Sequence, residues 1–267
     1  MILLHMFKDY MLEILYKDRY IVVINKPSGL LVHKSMIDRH EIYYAMKILR
    51  DQIGQWVYPI HRLDKPTSGV LLFALDRQTA RLMNEQFKAH TIQKRYIAVV
   101  RGYTEQEGIV DHALKEKLDK ISDKDAKKEK EAQEALTYYK RLETVEIDKP
   151  VGRYDKTRYS LVELLPQTGR KHQLRRHMKH ISHHILGDTK YGRGEHNKFI
   201  RAEYGVHRLL LHCVSLEIEH PYSGKNLLFE AKFDVVFEKV FVSFGWKAEK
   251  LIWNPGFQML KHDLEKN

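Results

Sequence analysis

The stretch His61-Arg62-Leu63-Asp64-Lys65-Pro66-Thr67-Ser68-Gly69 places one carboxylate between cationic side chains and runs straight into the apolar run 70–74, VLLFA. Pro66 fixes its own φ and turns Lys65 away from helix, while Gly69 permits a sharp turn. Asp64 is therefore predicted to sit on a stiff, irregular loop at the edge of a short buried strand. A carboxylate flanked by Arg62 and Lys65 is held as its anion, which suits a nucleophile or an electrostatic stabiliser better than a proton donor. An ion-paired loop aspartate with a purely structural task fits the same residues, and on this stretch alone both readings stand.

A second stretch, 168–180 (TGRKHQLRRHMKH), is dense in arginine, lysine and histidine and holds no carboxylate. Read as a helix over 171–181, it puts Leu174, His177, Met178 and Ile181 on one face and Arg175 and Lys179 on another. Like charges one turn apart repel, so an anion is expected beside them. Phosphate is the natural candidate, held in part by amides at the helix start near Gly169. The bland alternative is a basic surface helix. Tyr96 lies on a predicted strand beside Lys94 and Arg95 and is either a ring on which a base can stack or a half-buried strand tyrosine.

Other chemistries are poorly served. His172, His177, His180, His183 and His184 do not follow the H-E-x-x-H pattern, and no Asp, Glu or Cys completes a ligand set before Asp188, so no metal site is expected. Ser68 lacks a G-x-S-x-G context, and Cys213, inside a strand pattern, reads as a small buried hydrophobe. Neither G-x-G-x-x-G nor a Walker loop occurs, and no cofactor is indicated.

The elements that must position these residues follow from periodicity. Residues 13–16 and 20–25 read as strands around a turn at Lys17-Asp18-Arg19, and Lys26-Pro27-Ser28-Gly29 as a tight turn. Helical spacing marks 41–53, ending at Gly54, and 77–90. Strands are predicted over 94–102, 135–146 and 157–165. Residues 208–219 alternate, with Leu209, Leu211, Cys213 and Ser215 against Leu210, His212 and Val214. A turn at 221–224 leads to a partner strand over 227–233, and 235–244 forms a last helix. Residues 115–134 hold only Leu118 and Ile121 as large apolar residues among dense mixed charge, and read as a mobile, solvated insertion. The pattern implies one α+β domain over 11–246, with terminal extensions at 1–10 and 247–267.

The 267 residues carry 46 Lys and Arg against 35 Asp and Glu, a net charge of +11. Such a balance favours a polyanion as partner, nucleic acid ahead of a membrane surface, since no basic amphipathic helix or lipidation motif is present. No apolar run approaches ~18 residues, the N-terminus lacks an export signal, and the single cysteine cannot form an internal disulfide. A cytoplasmic setting is expected, and no obligate protein partner is indicated.

In several blocks the chain resembles the RluA-type RNA pseudouridine synthases. These are Asn25-Lys26-Pro27-Ser28-Gly29 through His33; His61-Arg62-Leu63-Asp64 with Thr67-Ser68-Gly69; and Lys94-Arg95-Tyr96-Ile97-Ala98 with Gly102. Gly169-Arg170 through His172-Gln173-Leu174-Arg175 with Gly187-Asp188 and Tyr191-Gly192, and Arg208-Leu209 to His212, complete the set, in family order over roughly 13–233. The segments 51–55, 118–121 and 169–177 resemble a subgroup acting on tRNA, although many relatives have Thr or Ser where Lys171 stands. The resemblance implies a pseudouridine synthase fold: a mixed, mostly antiparallel central sheet with flanking helices and a central RNA-binding cleft. It implies isomerisation of a uridine in tRNA to pseudouridine without metal or organic cofactor, at uridine 65 of the T-stem next to the acceptor stem. Action on ribosomal RNA and non-catalytic RNA binding are the alternatives. By the same resemblance Asp64 acts at C1′ of a flipped nucleotide, Arg175 pairs with it, and Tyr96 stacks on the base and moves a proton. Arg62 fills the space the nucleotide leaves, and His61, Lys65, Arg170, Lys171, Leu174 and Leu209 contribute to RNA or base binding.

Overall fold

The computed structural model describes residues 11–34, 41–115 and 131–247. The insertion expected to be mobile lies outside the described residues over 116–130, as do the extensions 1–10 and 248–267.

In chain order the elements are β1 (Glu13–Lys17), β2 (Ile21–Lys26), α1 (Ala45–Ile53), β3 (Tyr58–Pro59), β4 (Ser68–Ala74), α2 (Arg77–Lys88) and β5 (Gln93–Arg101). Then come β6 (Glu107–Asp111), β7 (Leu114–Lys115), β8 (Ala132–Gln133), β9 (Leu136–Ile147), β10 (Thr157–Pro166) and α3 (Gln173–His180). The described chain closes with α4 (Gly194–Tyr204), β11 (Leu211–Glu219), β12 (Asn226–Glu230) and α5 (Val235–Phe244). Ten strands form one sheet in the order β1-β2-β4-β11-β5-β10-β9-β6, with β12 beside β11 and β3 beside β4. Antiparallel pairing runs through this sheet except where β4 meets β11, which are parallel at His212–Ser68 and Cys213–Gly69. The fold is α+β with a mixed, mostly antiparallel sheet.

The strand period of two sorts the central strands onto two cores. From β5, Tyr96, Ala98 and Val100 join the larger core, which also holds Leu174 and Met178 of α3, while Ile97 and Val99 join the smaller one under α4 and α5. Leu211 and Cys213 of β11 face the larger core and Val214 the smaller. A register shift between Cys213 and Ser215 then returns Leu216 and Ile218 to the larger core, which simple alternation does not foresee. Tyr96, Cys213 and α3 thus share one side of the sheet.

Several elements depart from the sequence reading, among them the short strand β3 and the pair β7–β8, which orders Lys115 and Ala132–Gln133 at the rims of the segment read as a mobile insertion. Helix α1 starts at Ala45 rather than 41, because Tyr44 is extended and bridges Leu31, and the Ala45 amide bonds the Leu31 carbonyl. The edge strand β6 and the helix α4 were not foreseen. Helix α4 (GEHNKFIRAEY) buries only His196 and Ile200, too thin a stripe to stand out by periodicity, although Gly205 ends it in the left-handed conformation favoured just past a helix. Among the described residues no helix is long and apolar enough to cross a membrane.

Candidate active site

The loop carrying Asp64 is fastened from one side by the 26–30 turn. The Gly29 amide donates to the Lys65 carbonyl (2.8 Å) and the Ser28 hydroxyl to the Pro66 carbonyl (2.7 Å). Lys26 Nζ, on a residue with no exposed surface, donates to the carbonyls of Pro27 and Leu30 (both 2.8 Å) and of Lys65 (3.2 Å). Burial pushes its ammonium down to about 7, with Arg208 adding to the fall and Asp64 opposing it. Within the loop the Thr67 amide closes a turn onto the Asp64 carbonyl (3.0 Å). At Gly69 the chain enters β4 with φ +114°, and a Cβ there would stand 2.1 Å from the Cys213 carbonyl oxygen, so only glycine lets β4 and β11 meet.

From the other side comes Arg175 on α3. Its Nη1 donates to Asp64 Oδ2 at 3.0 Å, across 111 residues of sequence. Its Nε and Nη2 clasp Asp188, at 2.7 Å to Oδ2 and 2.9 Å to Oδ1, and its guanidinium lies 5.1 Å from the centre of the Tyr191 ring. Asp188 Oδ1 also accepts from the amides of Lys190 and Tyr191 (both 2.9 Å). Burial works against both charges of this pair. The mutual hydrogen bonds outweigh it, raising Arg175 above and lowering Asp188 below their ordinary values. The anion expected beside Arg175 is therefore a pair of carboxylates rather than a phosphate, and Lys179 points to solvent instead of sharing that environment.

Two further groups, His172 and Tyr96, interact electrostatically with Asp64. The side chain of Asp64 remains 16% exposed, so it is reachable from outside. His172 Nε2 lies 3.8 Å from Asp64 Oδ1, and its Nδ1 is 2.9 Å from the Tyr191 hydroxyl. Tyr96, 8% exposed, keeps its phenol protonated: burial raises it well above the usual value, and Cys213 and Asp64 add to the rise.

An oriented carboxylate on a rigid loop, shared with a buried guanidinium and within electrostatic range of a phenol, is equipped to meet a developing cation or an electrophilic carbon. The RNA pseudouridylate synthase family profile matches residues 20–180. The chain belongs to that family. It is 52% identical over 238 residues to tRNA pseudouridine synthase C of Vibrio parahaemolyticus, covering 89% of this chain and 97% of that one. The protein of the same name from Haemophilus influenzae is 52% identical over 237 residues, covering 89% of this chain and 99% of the other. Human RNA pseudouridylate synthase domain containing 4 aligns in structure with a TM-score of 0.64 at 27% identity, over 87% of this chain and 93% of that one. Human RNA pseudouridylate synthase domain containing 1 gives 0.62 at 25% identity over 83% of each.

This pseudouridine synthase is accordingly an isomerase, and the other sequence-predicted positions distribute unevenly around its carboxylate pair. Arg62 is exposed on the loop, and Lys65 reaches Glu41 (3.0 Å). His61 turns its ring inward: Nε2 accepts the Leu72 amide (3.1 Å), the ring stacks on Phe87, and burial and Lys94 push it down to about 3. Arg170 Nε donates to the Glu134 carbonyl (2.9 Å), and Lys171 is half-buried just before α3. Leu174 and Leu209, 7% and 1% exposed, lie in the larger core. Among the described residues no cluster of His, Cys, Asp or Glu could hold a metal. His177, expected on the inner face of α3, bonds Thr137 and the His112 carbonyl and is held neutral by burial at about 4.

Four contributors escaped the sequence reading of individual roles: Lys26, Asp188, Asn197 and His172. Asn197 of α4 accepts the Gly187 amide and donates to the Asp188 carbonyl (both 2.9 Å), fixing the turn that carries Asp188. A usable signal for Asp188 was present, since the stretch 168–180 carries five Lys and Arg with no acid and Asp188 is the first carboxylate downstream.

Proposed function

We propose that this pseudouridine synthase isomerises a uridine of tRNA, with Asp64 as the group that meets C1′ of the ribose. The observation that carries the catalytic part is the Asp64–Arg175 pair, a reachable carboxylate whose partner is buried and itself clamped by Asp188. The substrate class is supported by the curated relatives named tRNA pseudouridine synthase C, which align over about nine-tenths of the chain. The N1–C1′ bond breaks, uracil turns, and C5 bonds to C1′; C5 loses its proton and N1 ends protonated, so nothing is added or removed. Asp64 attacks C1′ or balances the positive charge that grows there, and Arg175 holds it in line. Tyr96, which Asp64 reaches electrostatically, is the ring we assign to stack on the base, and its phenol is a candidate to carry the proton. A stacked uridine cannot reach the carboxylate, so the nucleotide is flipped out, at a cost of a few kcal/mol (order of magnitude) offset by stacking and backbone contacts. Arg62, exposed beside the loop, is suited to fill the gap left in the RNA, with Lys65, Arg170 and Lys171 toward the backbone. The uridine we assign is position 65, at the T-stem end adjoining the acceptor stem.

The test pairs a variant with a map. Asp64→Asn should abolish pseudouridine formation and leave tRNA affinity within a few-fold of wild type; full activity would remove Asp64 from the reaction. Pseudouridine mapping in cells with and without the protein should lose the mark at tRNA position 65. Loss confined to ribosomal RNA would overturn the substrate.

A further inference from the structure

His172, beside Asp64, is one of three non-glycine residues with positive φ among the described residues. It sits at φ 57°, ψ 29°, a left-handed conformation uncommon for a residue with a side chain, immediately before α3. That conformation carries the imidazole back over the loop, where Nε2 stands 3.8 Å from Asp64 Oδ1, the oxygen opposite the one Arg175 binds. The Tyr191 hydroxyl anchors the far side of the ring at 2.9 Å from Nδ1, and burial raises that phenol so that it keeps its proton.

The arrangement fixes the tautomer. A proton on Nδ1 would leave the Nε2 lone pair facing a carboxylate, which is repulsive. With Tyr191 donating to Nδ1, the ring presents Nε2–H toward Oδ1. Burial holds the imidazole near pKa 4, outweighing the pull of Asp64, so the ring is neutral at pH 7. A separation of 3.8 Å is too long for a direct hydrogen bond, yet it suits one hydroxyl lying about 2.8 Å from each group. Such a hydroxyl would accept from Nε2–H and donate to Oδ1.

We propose that His172 reads the 2′-hydroxyl of the target ribose, bridging it to Asp64 and so selecting ribose over deoxyribose at the modified position. The inference rests on the proposed role of Asp64: a carboxylate placed at C1′ has C2′ as its neighbouring atom, and the hydroxyl there falls between the two side chains. That hydroxyl is the group that distinguishes RNA from DNA.

The experiment compares single-turnover pseudouridine formation on a tRNA substrate bearing uridine or 2′-deoxyuridine at the target, with wild type, His172→Asn and His172→Gln. Asparagine tolerates the left-handed backbone but is too short to reach; glutamine places an N–H about where Nε2 stands. Wild type should lose roughly ten- to a hundredfold on the deoxy substrate. His172→Asn should lose a similar factor on the ribose substrate and show nearly equal rates on both, the two losses failing to multiply. His172→Gln should keep part of the discrimination. Equal wild-type rates on the two substrates overturn the proposal with no variant required. So does a His172→Asn enzyme that discriminates as strongly as wild type. If wild type forms no pseudouridine on the ribose substrate, the proposed function falls, and this inference with it.

Discussion

Replacing Asp188 with asparagine tests whether the guanidinium that holds Asp64 is itself held from behind. The Asp188 carboxylate accepts four hydrogen bonds, two from Arg175 and one each from the amides of Lys190 and Tyr191. With Asn, one carboxylate oxygen becomes an NH2 group, and a donor then faces the Arg175 N–H. Removing one partner of a buried ion pair costs about 3–5 kcal/mol. The low end, about 3 kcal/mol, is expected, since Asp64 still accepts from Nη1 and the Tyr191 ring still covers the guanidinium. For a chain of this size that is a fall in Tm of roughly 6–12 °C. The single-turnover rate should drop by about tenfold or more, because a swinging Arg175 no longer fixes Asp64. The pH dependence has a definite sign. Asp188 is held below the usual carboxylate value: burial would raise it, but the Arg175 bonds outweigh burial. Its contribution is therefore complete above about pH 4 and disappears as pH falls through the folded-state value. Urea titrations of wild type and variant should diverge fully at neutral pH and converge in acid. Wild-type stability together with a wild-type rate, or a gap that widens on acidification, refutes the clamp.

Lys26→Met should loosen the Asp64 loop and lower the turnover rate, since three carbonyls lose their donor. Burial first, and Arg208 second, push the Lys26 ammonium down to about 7 in the folded chain, below its ordinary value near ~10.4. The unfolded chain thus binds more protons between about pH 7 and 10, and wild-type stability should gain over that interval. The variant should lack that part of the slope, and equal slopes in denaturation at pH 7 and 9.5 would contradict the assignment. Gly69→Ala should not yield soluble, cooperatively folding protein, because its Cβ would meet the Cys213 carbonyl oxygen at 2.1 Å. A variant that melts like wild type would show that the β4–β11 seam yields more easily than its geometry implies.

Much of the scaffold was legible because strong periodicity has few structural meanings. Residues 235–244 read as a helix and form α5, and 77–90 becomes α2 with a shorter end. Helix α4 was hidden because its side chains serve a turn and a partial core rather than a continuous apolar stripe. The site was legible in its residue types and not in its pairings. Arg175 read as half of a basic stripe with Lys179, yet it is 5% exposed and bound to carboxylates 111 and 13 residues away. Helical spacing reports neighbours along one element. It is silent on what a second element brings across, and here Asp64 and Arg175 were joined at first only through the family resemblance. Lys26 shows the same limit: its place in a turn was visible, but a buried ammonium feeding three carbonyls depends on a loop 39 residues distant.

The parallel seam explains why Asp64 can be placed so closely by residues far from it. Ser68, four positions after Asp64, starts β4 beside His212 of β11. Burial holds His212 neutral, near pKa 4, and its Nε2 lies 3.2 Å from the Ala231 carbonyl, which only accepts, so Nε2 carries the proton. Nδ1 is then the acceptor for the Ser68 hydroxyl at 2.7 Å, and the Ser68 oxygen in turn accepts from Arg208 Nη2 at 2.8 Å. Arg208 is anchored by Asp234 and by the Leu209 carbonyl. Arg208 Nη2 also donates to the Leu211 carbonyl at 3.3 Å, and the polarity of each bond from Arg208 to Ala231 is set by the next, so the seam has a single arrangement rather than several of similar energy. The N-terminal half contributes Asp64 and the C-terminal half Arg175 and Asp188, and the seam fixes their distance. Protonating His212 would reverse Nδ1 from acceptor to donor against Ser68. Its folded-state value lies below the unfolded one near ~6.5, so this part of the stability is lost as pH falls from there through about 4. Acid thus attacks the seam and the Asp188 clamp over adjoining ranges, and the register of Asp64 against Arg175 depends on both.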